Sequence, residues 1–461
     1  MNKYTLVKKC ELDGRVIDLA FEKEMLGNYF SVIVGRNGSG KSRLLSSISI
    51  EQCMAESASK TICLSNTLFH KFISHRDIPA FWKMHDKGYR NKCLSESLDG
   101  HFTLSDTFAN VFNNEIIQSL FDNDEKLKNT LQILHDFIMC SRVEIDISLY
   151  SKVGLFKKNE FIFDPDTLDV NIFHSGYREK VSLEEKEFIY ENLVIFFNES
   201  GYMDILKQDM NWIMPYHPDD QTAEHIMRFG KHSIKFNFDY DDGNPNTNNF
   251  SDKFKKSLLV LNKYRLITIN NISFIKHDHA IGMKELSSGE LSVLLSILKI
   301  NSEIEENSVV LIDEPEVSLH PAWQKEIIPS LERCFSIFKG CHFIIATHSP
   351  QVVAGIPEDN SSVLLLDDGY TDGYTLLHGR GVRGQSSDFQ LFNTLNYAGG
   401  SNEYIKRRAI TIIAKIDNSM GLNEDDNDFI ASAEKSLSSM DDDDAKAVTL
   451  QAIALVNAVR G

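Results

Sequence analysis

The chain has 461 residues, of which 48 are Lys or Arg and 66 are Asp or Glu, so its formal net charge is −18. Hydrophobic residues make up 42% and charged residues 25%. These are values of a globular protein, which exclude wholesale disorder, a coiled-coil rod and a collagen-like fibre. The net charge argues against a nucleic-acid footprint over the whole surface but leaves open a local basic patch.

Membrane and secreted classes are excluded by the hydrophobic pattern. No apolar run approaches the ~20 residues needed to cross a bilayer, and the N-terminal residues lack the apolar region of a signal peptide. The seven cysteines are scattered, and none forms a Cys-x-x-Cys pair. This usage is typical of a reduced compartment, with neither a disulfide framework nor a zinc site. We therefore expect a cytoplasmic protein without a membrane partner.

The N-terminal part predicts two short antiparallel strands, at residues 4–7 and 16–21, and a buried strand at residues 30–34. A helix is predicted at residues 42–50. The residues between this last strand and the helix fit G-x-x-x-x-G-K-[ST] without a mismatch: Gly35-Arg36-Asn37-Gly38-Ser39-Gly40-Lys41-Ser42. In such a turn the backbone N–H groups surround a phosphate, the lysine reaches the β- and γ-phosphates, and the serine hydroxyl binds Mg²⁺.

The middle of the chain is less regular. Helices are predicted there at residues 116–139 and 183–197, and short strands at residues 161–163 and 233–238. Residues 239–252 are polar and turn-rich, which predicts a loop.

Regular alternation of helices and strands resumes at about residue 286. The predicted elements are a helix at 291–300, a strand at 308–312, a helix at 321–338 and strands at 342–346 and 361–366. Residues 396–461 are predicted to be helical. The acidic run between residues 417 and 446 is interpreted as a solvated loop before a final helix.

Three further groups of residues carry chemistry. Asp313 and Glu314 follow an apolar strand, so we expect Asp313 to hold Mg²⁺ and Glu314 to act as general base at the same sheet edge as the phosphate turn. The segment Leu286-Ser287-Ser288-Gly289-Glu290 opens a helix and is either an anion site or an ordinary N-cap with a capping box. His348 ends another strand, where it either senses a γ-phosphate or is structural.

In this order, the motifs resemble those of the ATP-binding-cassette (ABC) ATPase head. The phosphate loop is 35–42, the signature motif 286–290, the Walker B pair Asp313-Glu314 and the D-loop 318–321, with His348 as switch histidine. The sequence from Asp313 to Pro321 is similar to that of the soluble branch, which contains the SMC, RecF and overcoming-lysogenisation-defect (OLD) ATPases. The family's Q-loop glutamine is not assigned, and Gln52, Gln118 and Gln132 stay open as candidates.

The resemblance implies ATP and Mg²⁺ as cofactors and a head-to-head dimer in which the signature motif acts on nucleotide bound by the second copy. The catalytic candidates are Lys41, Glu314 and His348, and the Mg²⁺ ligands are Ser42 and Asp313. The residues expected to bind nucleotide are Gly35, Asn37, Gly38, Ser39, Gly40, Lys41, Ser42 and Arg43, with Ser287, Ser288, Gly289 and Glu290 from the partner.

The fold class that follows is α/β. We expect an ABC-ATPase head with a mixed central sheet flanked by helices, antiparallel N-terminal strands, a compact α/β insertion and a helical C-terminal region. The expected segments are an N-terminal lobe at 1–98, a mostly helical insertion at 99–271, a C-terminal lobe at 272–395 and the helical region at 396–461.

The insertion is too short for coiled-coil arms, and no Toprim or HNH nuclease pattern is visible. This combination is similar to the ATPase subunit of Septu antiphage systems. It implies a slow, regulatory ATPase that gates a separately encoded HNH endonuclease, docked on the C-terminal region or the insertion. The alternative is a RecF- or SMC-like DNA repair or maintenance ATPase that binds duplex DNA directly. The candidate basic clusters for that alternative are Lys253, Lys255, Lys256, Lys263 and Arg265, and Lys406, Arg407 and Arg408.

Overall fold

The structure is a computed structural model. It describes the backbone of residues 6–21, 27–35, 38–55, 59–67, 70–74, 84–85, 87–93, 104–149, 155–157, 160–162, 171–174, 177–180, 183–201, 233–241, 244–247, 250–264, 266–366, 374–394, 402–437, 440 and 442–460.

The strands are β1 Lys9–Leu12, β2 Arg15–Asp18, β3 Tyr29–Gly35, β4 Thr61–Ser65, β5 Tyr89–Asn91, β6 Arg142–Leu149, β7 Leu155–Lys157, β8 Glu160–Ile162, β9 Asn171–His174, β10 Tyr177–Lys180, β11 Ser233–Asp241, β12 Asn244–Thr247, β13 Ile267–Lys276, β14 His279–Gly282, β15 Val309–Asp313, β16 His342–Thr347, β17 Ser361–Leu366 and β18 Tyr374–His378.

The α-helices are α1 Lys41–Ala55, α2 Leu104–Phe121, α3 Asp124–Ile138, α4 Leu183–Glu199, α5 Asp252–Lys263, α6 Ser288–Asn301, α7 Pro321–Cys334, α8 Pro350–Ala354, α9 Glu403–Asp417, α10 Glu424–Ser436 and α11 Asp443–Arg460. Short helical segments occur at Met283–Glu285, Gly379–Gly381, Ser387–Phe389 and Gln390–Thr394. Among the described residues, every helix is too short or too polar to span a bilayer.

The chain divides into two compact units. Unit 1 consists of Met1–Ser95 and Ile304–Gly461, and unit 2 of Glu96–Glu303. The four segments expected from the sequence remain a prediction. Residues 272–303, which that prediction assigns to the ATPase head, cluster with unit 2.

Unit 1 contains a seven-stranded mixed sheet in the order β18-β17-β3-β16-β15-β4-β5. Only β18 is antiparallel to its neighbour. Strands β3, β4, β15 and β16 are buried throughout, which explains their near-continuous apolar sequences. Leu44 and Ile48 of α1 pack in one core with Ile33 and Ile344 of the sheet. The predicted mixed central sheet flanked by helices is confirmed.

The N-terminal hairpin differs from the prediction in one strand. Among the described residues the first strand is β1, which pairs with β2. Of the strand predicted at 4–7, residues 4 and 5 lie outside the described residues, and Leu6 and Val7 are not in a strand. Asp13 and Gly14 connect the two strands with positive φ angles of 52° and 79°, the backbone that a tight two-residue hairpin turn requires. This turn fixes the register of β1 against β2.

The acidic run is also placed differently from the prediction, because half of its acidic residues lie in α10. Asp426 is buried, and it contacts Lys415 at 2.6 Å and Arg408 at 3.3 Å. Asp442, just before α11, contacts Lys406 at 2.6 Å. Asp426 and Asp442 therefore pair with basic side chains of α9 and join the three C-terminal helices instead of solvating a loop.

Unit 2 contains a five-stranded antiparallel sheet in the order β12-β11-β6-β13-β14, in a segment for which the sequence predicts mostly helices. Strand β11 runs to Asp241 and pairs with β12, so the loop predicted from residue 239 is wrong for these residues. The helix predicted at 116–139 is broken into α2 and α3. The break occurs because Asn123 caps α3, its side chain accepting from the Lys126 N–H.

His342, the first residue of β16, is buried and forms hydrogen bonds with Val7 and with Ser31 of β3. The Val7 N–H donates to His342 Nδ1 at 3.1 Å, so Nε2 carries the proton and donates to Ser31 Oγ at 2.9 Å. The Ser31 hydroxyl then donates to the Leu19 carbonyl at 3.0 Å. Burial lowers the pKa of His342 to about 3, so the ring is neutral in the folded protein.

This histidine predicts a pH dependence of stability. In the unfolded chain it titrates near 6.5, so between pH 6.5 and about 3 the unfolded state binds the extra proton and the free energy of unfolding falls. The expected slope from this residue is about 1.4 kcal/mol per pH unit. Urea titrations at pH 7 and pH 5 of the wild type and of His342→Gln check it. A stability difference between the two proteins that is the same at both pH values contradicts the prediction.

Candidate functional site

The turn after β3 is built for close approach to the backbone. Gly38 and Gly40 have φ angles of 87° and 98°, which favour glycine. A Cβ on Gly35 would lie 2.5 Å from Ser39 Oγ and 2.7 Å from the Leu366 carbonyl oxygen. Ser39 Oγ is buried and makes no hydrogen bond with the residues that the structure describes. A cradle with an unsatisfied hydroxyl fits a phosphate, while Asn37 lies outside the described residues.

Lys41 begins α1 and is only 4% exposed. Its Nζ donates to the Gly35 carbonyl at 3.0 Å and lies 2.6 Å from His348 Nε2 and 4.0 Å from Glu314 Oε1. Burial lowers the pKa of Lys41, and the charges of Glu314 and Asp313 oppose that shift. The three predicted catalytic residues are therefore in mutual contact at the carboxyl edge of the sheet.

Ser42 and Asp313 form a second pair at this edge. The Ser42 hydroxyl donates to Asp313 Oδ1 at 3.1 Å, and Asp313 is the last residue of β15. Burial raises the pKa of Asp313 to about 6, with the hydrogen bond from Ser42 acting in the opposite direction. A hydroxyl and a carboxylate are oxygen ligands of the kind that Mg²⁺ prefers. The pair therefore fits the predicted metal site.

Glu314 is held in an unusual backbone conformation. Its φ angle is +50°, and its N–H donates to the Ala346 carbonyl of β16 at 2.9 Å. The side chain contacts His348 Nε2 at 2.9 Å. Burial by itself raises the pKa of Glu314, but the hydrogen bond and charge of His348 outweigh it and hold the pKa below its usual value. Glu314 is thus an anionic acceptor in a largely buried position.

Glu316 is the residue at this site to which the sequence assigns no role. Its Oε1 accepts from the Thr347 hydroxyl at 2.6 Å, the His348 N–H at 2.7 Å and the Ser349 N–H at 3.1 Å. Burial, and then the charge of Glu314, raises the pKa of Glu316 to about 7. The one signal in the sequence was its position two residues after Glu314.

The signature segment lies in unit 2. Ser287 caps α6, its hydroxyl accepting from the Glu290 N–H at 3.3 Å while Glu290 Oε2 accepts from the Ser287 N–H at 2.9 Å. The predicted capping box is therefore present. Ser287 and Ser288 are exposed and Gly289 is buried. The helix terminus that they form can still receive an anion, because its first N–H groups have no partner within the helix.

The structure shows where Arg43 and the candidate Q-loop glutamines lie, but it does not test their predicted roles. The Arg43 guanidinium contacts Asp13 Oδ2 at 3.3 Å on the surface, and its role toward nucleotide stays a prediction. Of the candidate glutamines, Gln52 lies in α1, Gln118 in α2 and Gln132 in α3. The Q-loop residue remains unassigned.

A glycine turn after β3, a buried lysine and acidic residues at the end of β15, two strands away in the sheet, form the arrangement typical of a P-loop nucleotide site. Residues 186–354 match the family model described as "AAA domain, putative AbiEii toxin, Type IV TA system". This match includes the signature segment, Asp313, Glu314 and His348, and the phosphate turn lies before it.

Among curated proteins, the chain is similar to "Retron Ec83 probable ATPase" of Escherichia coli, with 36% identity over 27% of this chain and 23% of the relative. It is also similar to "Retron Vc95 probable ATPase" of Vibrio cholerae serotype O1 biovar El Tor, with 30% identity over 20% of each chain. The chain thus spans less than a quarter of the length of either relative.

Among solved structures, a metal-chelate-type ABC transporter in an inward-facing conformation is similar over 30% of this chain and 47% of its own, with 23% identity and a TM-score of 0.18. The family model covers less than half of the chain and each retron relative is matched over less than a quarter of its length, so the similarity is to an AAA-type ATPase domain over these residues.

Proposed function

We propose that this chain binds ATP and hydrolyses it slowly to ADP and phosphate. The observation that carries the proposal is the cluster of Lys41, His348 and Glu314 beside the Ser42–Asp313 pair, all at one sheet edge. Ser42 and Asp313 would hold Mg²⁺, which supplies neutralisation of charge on the phosphates. Lys41 and the backbone of the glycine turn would hold the β- and γ-phosphates.

The chemistry assigned to the side chains is general base catalysis. Glu314 accepts a proton from a water molecule whose oxygen forms a bond to the γ-phosphorus. The bond from that phosphorus to the bridging oxygen breaks, and ADP leaves. Lys41 balances the developing negative charge, and His348 orients Glu314 through the 2.9 Å contact.

We further propose that two copies close head to head, with Ser287 and Gly289 of one copy reaching the γ-phosphate held by the other. The exposed, capped start of α6 supports this arrangement, since a 14-residue helix presents its positive end there. A single copy would then be a poor ATPase, and turnover would rise with protein concentration.

A substitution at Ser287 tests action in trans. Ser287→Arg places bulk and charge at the proposed interface, so we expect unchanged ATP affinity and at least about tenfold slower turnover, with no dimer in light scattering with Mg-ATP. Ser287→Asn is the matched control, because asparagine also caps a helix. Turnover by Ser287→Arg at the wild-type rate, with the same rise on concentration, would rule out the arrangement.

The wider role that we propose is regulation of a separately encoded HNH-type nuclease in an antiphage defence complex. The similarity to two retron ATPases supports a defence context. The nuclease partner follows from the resemblance to Septu systems. A tagged chain should capture such a nuclease from its native host, in an amount that changes with Mg-ATP for the wild type but not for Ser287→Arg. Capture of no nuclease under either condition would contradict this role.

The alternative of direct duplex DNA binding gains no support from the basic clusters. Lys255 is buried and contacts Asp124 at 2.6 Å. Lys406 contacts Asp442 and Arg408 contacts Asp426, so both charges are already balanced within the C-terminal helices. Arg265 lies outside the described residues. These pairs indicate that Lys255, Lys406 and Arg408 join helices rather than line a groove for phosphates.

A further inference from the structure

Glu316, two residues after the proposed general base Glu314, is hydrogen-bonded to the turn that carries His348. Glu316 Oε1 gathers three donors from that turn, at 2.6 Å from the Thr347 hydroxyl, 2.7 Å from the His348 N–H and 3.1 Å from the Ser349 N–H. Two of the three donors are backbone groups. The contact therefore fixes the main chain of the turn, whatever the side chain of His348 does.

A second tie joins the same two segments. Gln324 of α7 donates to the Leu319 carbonyl at 2.9 Å and accepts from the Ser349 hydroxyl at 2.6 Å. Between the two ties, Ser318 has a φ angle of +66°, a left-handed conformation that a serine keeps only when its surroundings hold it. The residues from Glu316 to Leu319 and the His348 turn are thus cross-linked at both ends.

We propose that Glu316 is a positioning residue for ATP hydrolysis, holding the His348 backbone so that the imidazole meets Glu314 and Lys41. This inference rests on the proposed function. The distances support it, because the His348 N–H is 2.7 Å from Glu316 while its Nε2 is 2.9 Å from Glu314 and 2.6 Å from Lys41. The role assigned to Glu316 is to hold the His348 backbone, not to contact the phosphates.

Alanine and glutamine at position 316 are expected to affect the rate of hydrolysis differently. Alanine at position 316 leaves the backbone N–H of His348 without its acceptor, so the turn can shift. Glutamine keeps a carbonyl oxygen that can accept from the same donors. A displacement of about 1 Å at a catalytic group costs as much as about 100-fold in rate. The inference therefore predicts opposite outcomes for two substitutions of one residue.

The experiment compares steady-state ATP hydrolysis and ATP affinity of the wild type, Glu316→Ala and Glu316→Gln. Glu316→Ala should lower kcat by about 10- to 100-fold, with KM and ATP affinity changed less than about threefold. Glu316→Gln should stay within about threefold of the wild-type kcat. Glu326→Ala, an exposed position on α7, is the matched control and should be unchanged. Thermal unfolding of each variant separates slow turnover from loss of fold.

A double-mutant cycle with His348→Ala provides the decisive readout. If Glu316 acts through His348, adding Glu316→Ala to His348→Ala should lower kcat by less than about twofold more. An equal loss in both backgrounds, or a glutamine variant as slow as the alanine variant, overturns the inference. Lys41→Ala separates the two proposals. Full hydrolysis by that variant contradicts the proposed function, whereas its inactivity together with a fully active Glu316→Ala contradicts only the role of Glu316.

Discussion

Lys41→Ala is expected to reduce affinity for ATP by at least about 30-fold and to abolish hydrolysis. The lysine is buried at the start of α1, with its Nζ 3.0 Å from the Gly35 carbonyl, inside the turn that would hold the phosphates. Removing one partner of a buried charged contact costs about 2–5 kcal/mol, and each 1.4 kcal/mol is tenfold in affinity. Isothermal titration with Mg-ATP and a phosphate-release assay measure the two effects.

The control for this variant is Lys325→Ala, which removes an exposed lysine from α7 of the same unit. It should bind and hydrolyse ATP like the wild type. Unchanged ATP affinity in Lys41→Ala would show that the glycine turn is not the nucleotide site.

Glu314→Gln is expected to bind ATP within about threefold of the wild type and to hydrolyse it about 100- to 1,000-fold more slowly. Glutamine keeps the size of the side chain and an oxygen that can contact His348, but it cannot take a proton from water. General base catalysis contributes about 10²- to 10⁴-fold, which sets the size of the effect. Single-turnover phosphate release measures the chemical step directly.

The same variant should accumulate the closed dimer, because ATP stays intact between the two copies. Light scattering with Mg-ATP should therefore show more dimer for Glu314→Gln than for the wild type. Glu326→Gln, on the surface of α7, serves as the control. Hydrolysis at the wild-type rate would assign the base to another residue, and a purely monomeric Glu314→Gln would contradict closure around ATP.

The centre of the site could be predicted from the sequence because its signals are local. Strand β3, the glycine turn and α1 are consecutive, and the glycines mark a backbone that other residues rarely adopt. Strand β15 is buried on both sides, so its apolar sequence ends visibly where Asp313 and Glu314 begin. The rule that parallel strands end at one sheet edge then brings the two motifs together.

The parts that sequence reasoning missed depend on contacts between distant segments. The three donors that meet Glu316 come from a turn about 31 residues later, and no period or motif indicates such a pairing. The acidic run looks like a solvated loop because only the fold brings Arg408 and Lys415 to Asp426. The break at Asn123 was visible in principle as a helix N-cap, but the apolar period continues across it.

The order of strands in the central sheet has a consequence for how the protein is made. Strand β3 lies between β16 and β17, and the contact between Ser31 and His342 joins residues 311 positions apart. At about 5–20 residues per second, a ribosome needs roughly 15–60 s to deliver those neighbours, during which an apolar strand has no partner. The nascent chain is therefore expected to need a chaperone until residues of β17 have left the exit tunnel. A message truncated before that point would yield aggregated protein rather than a smaller folded one.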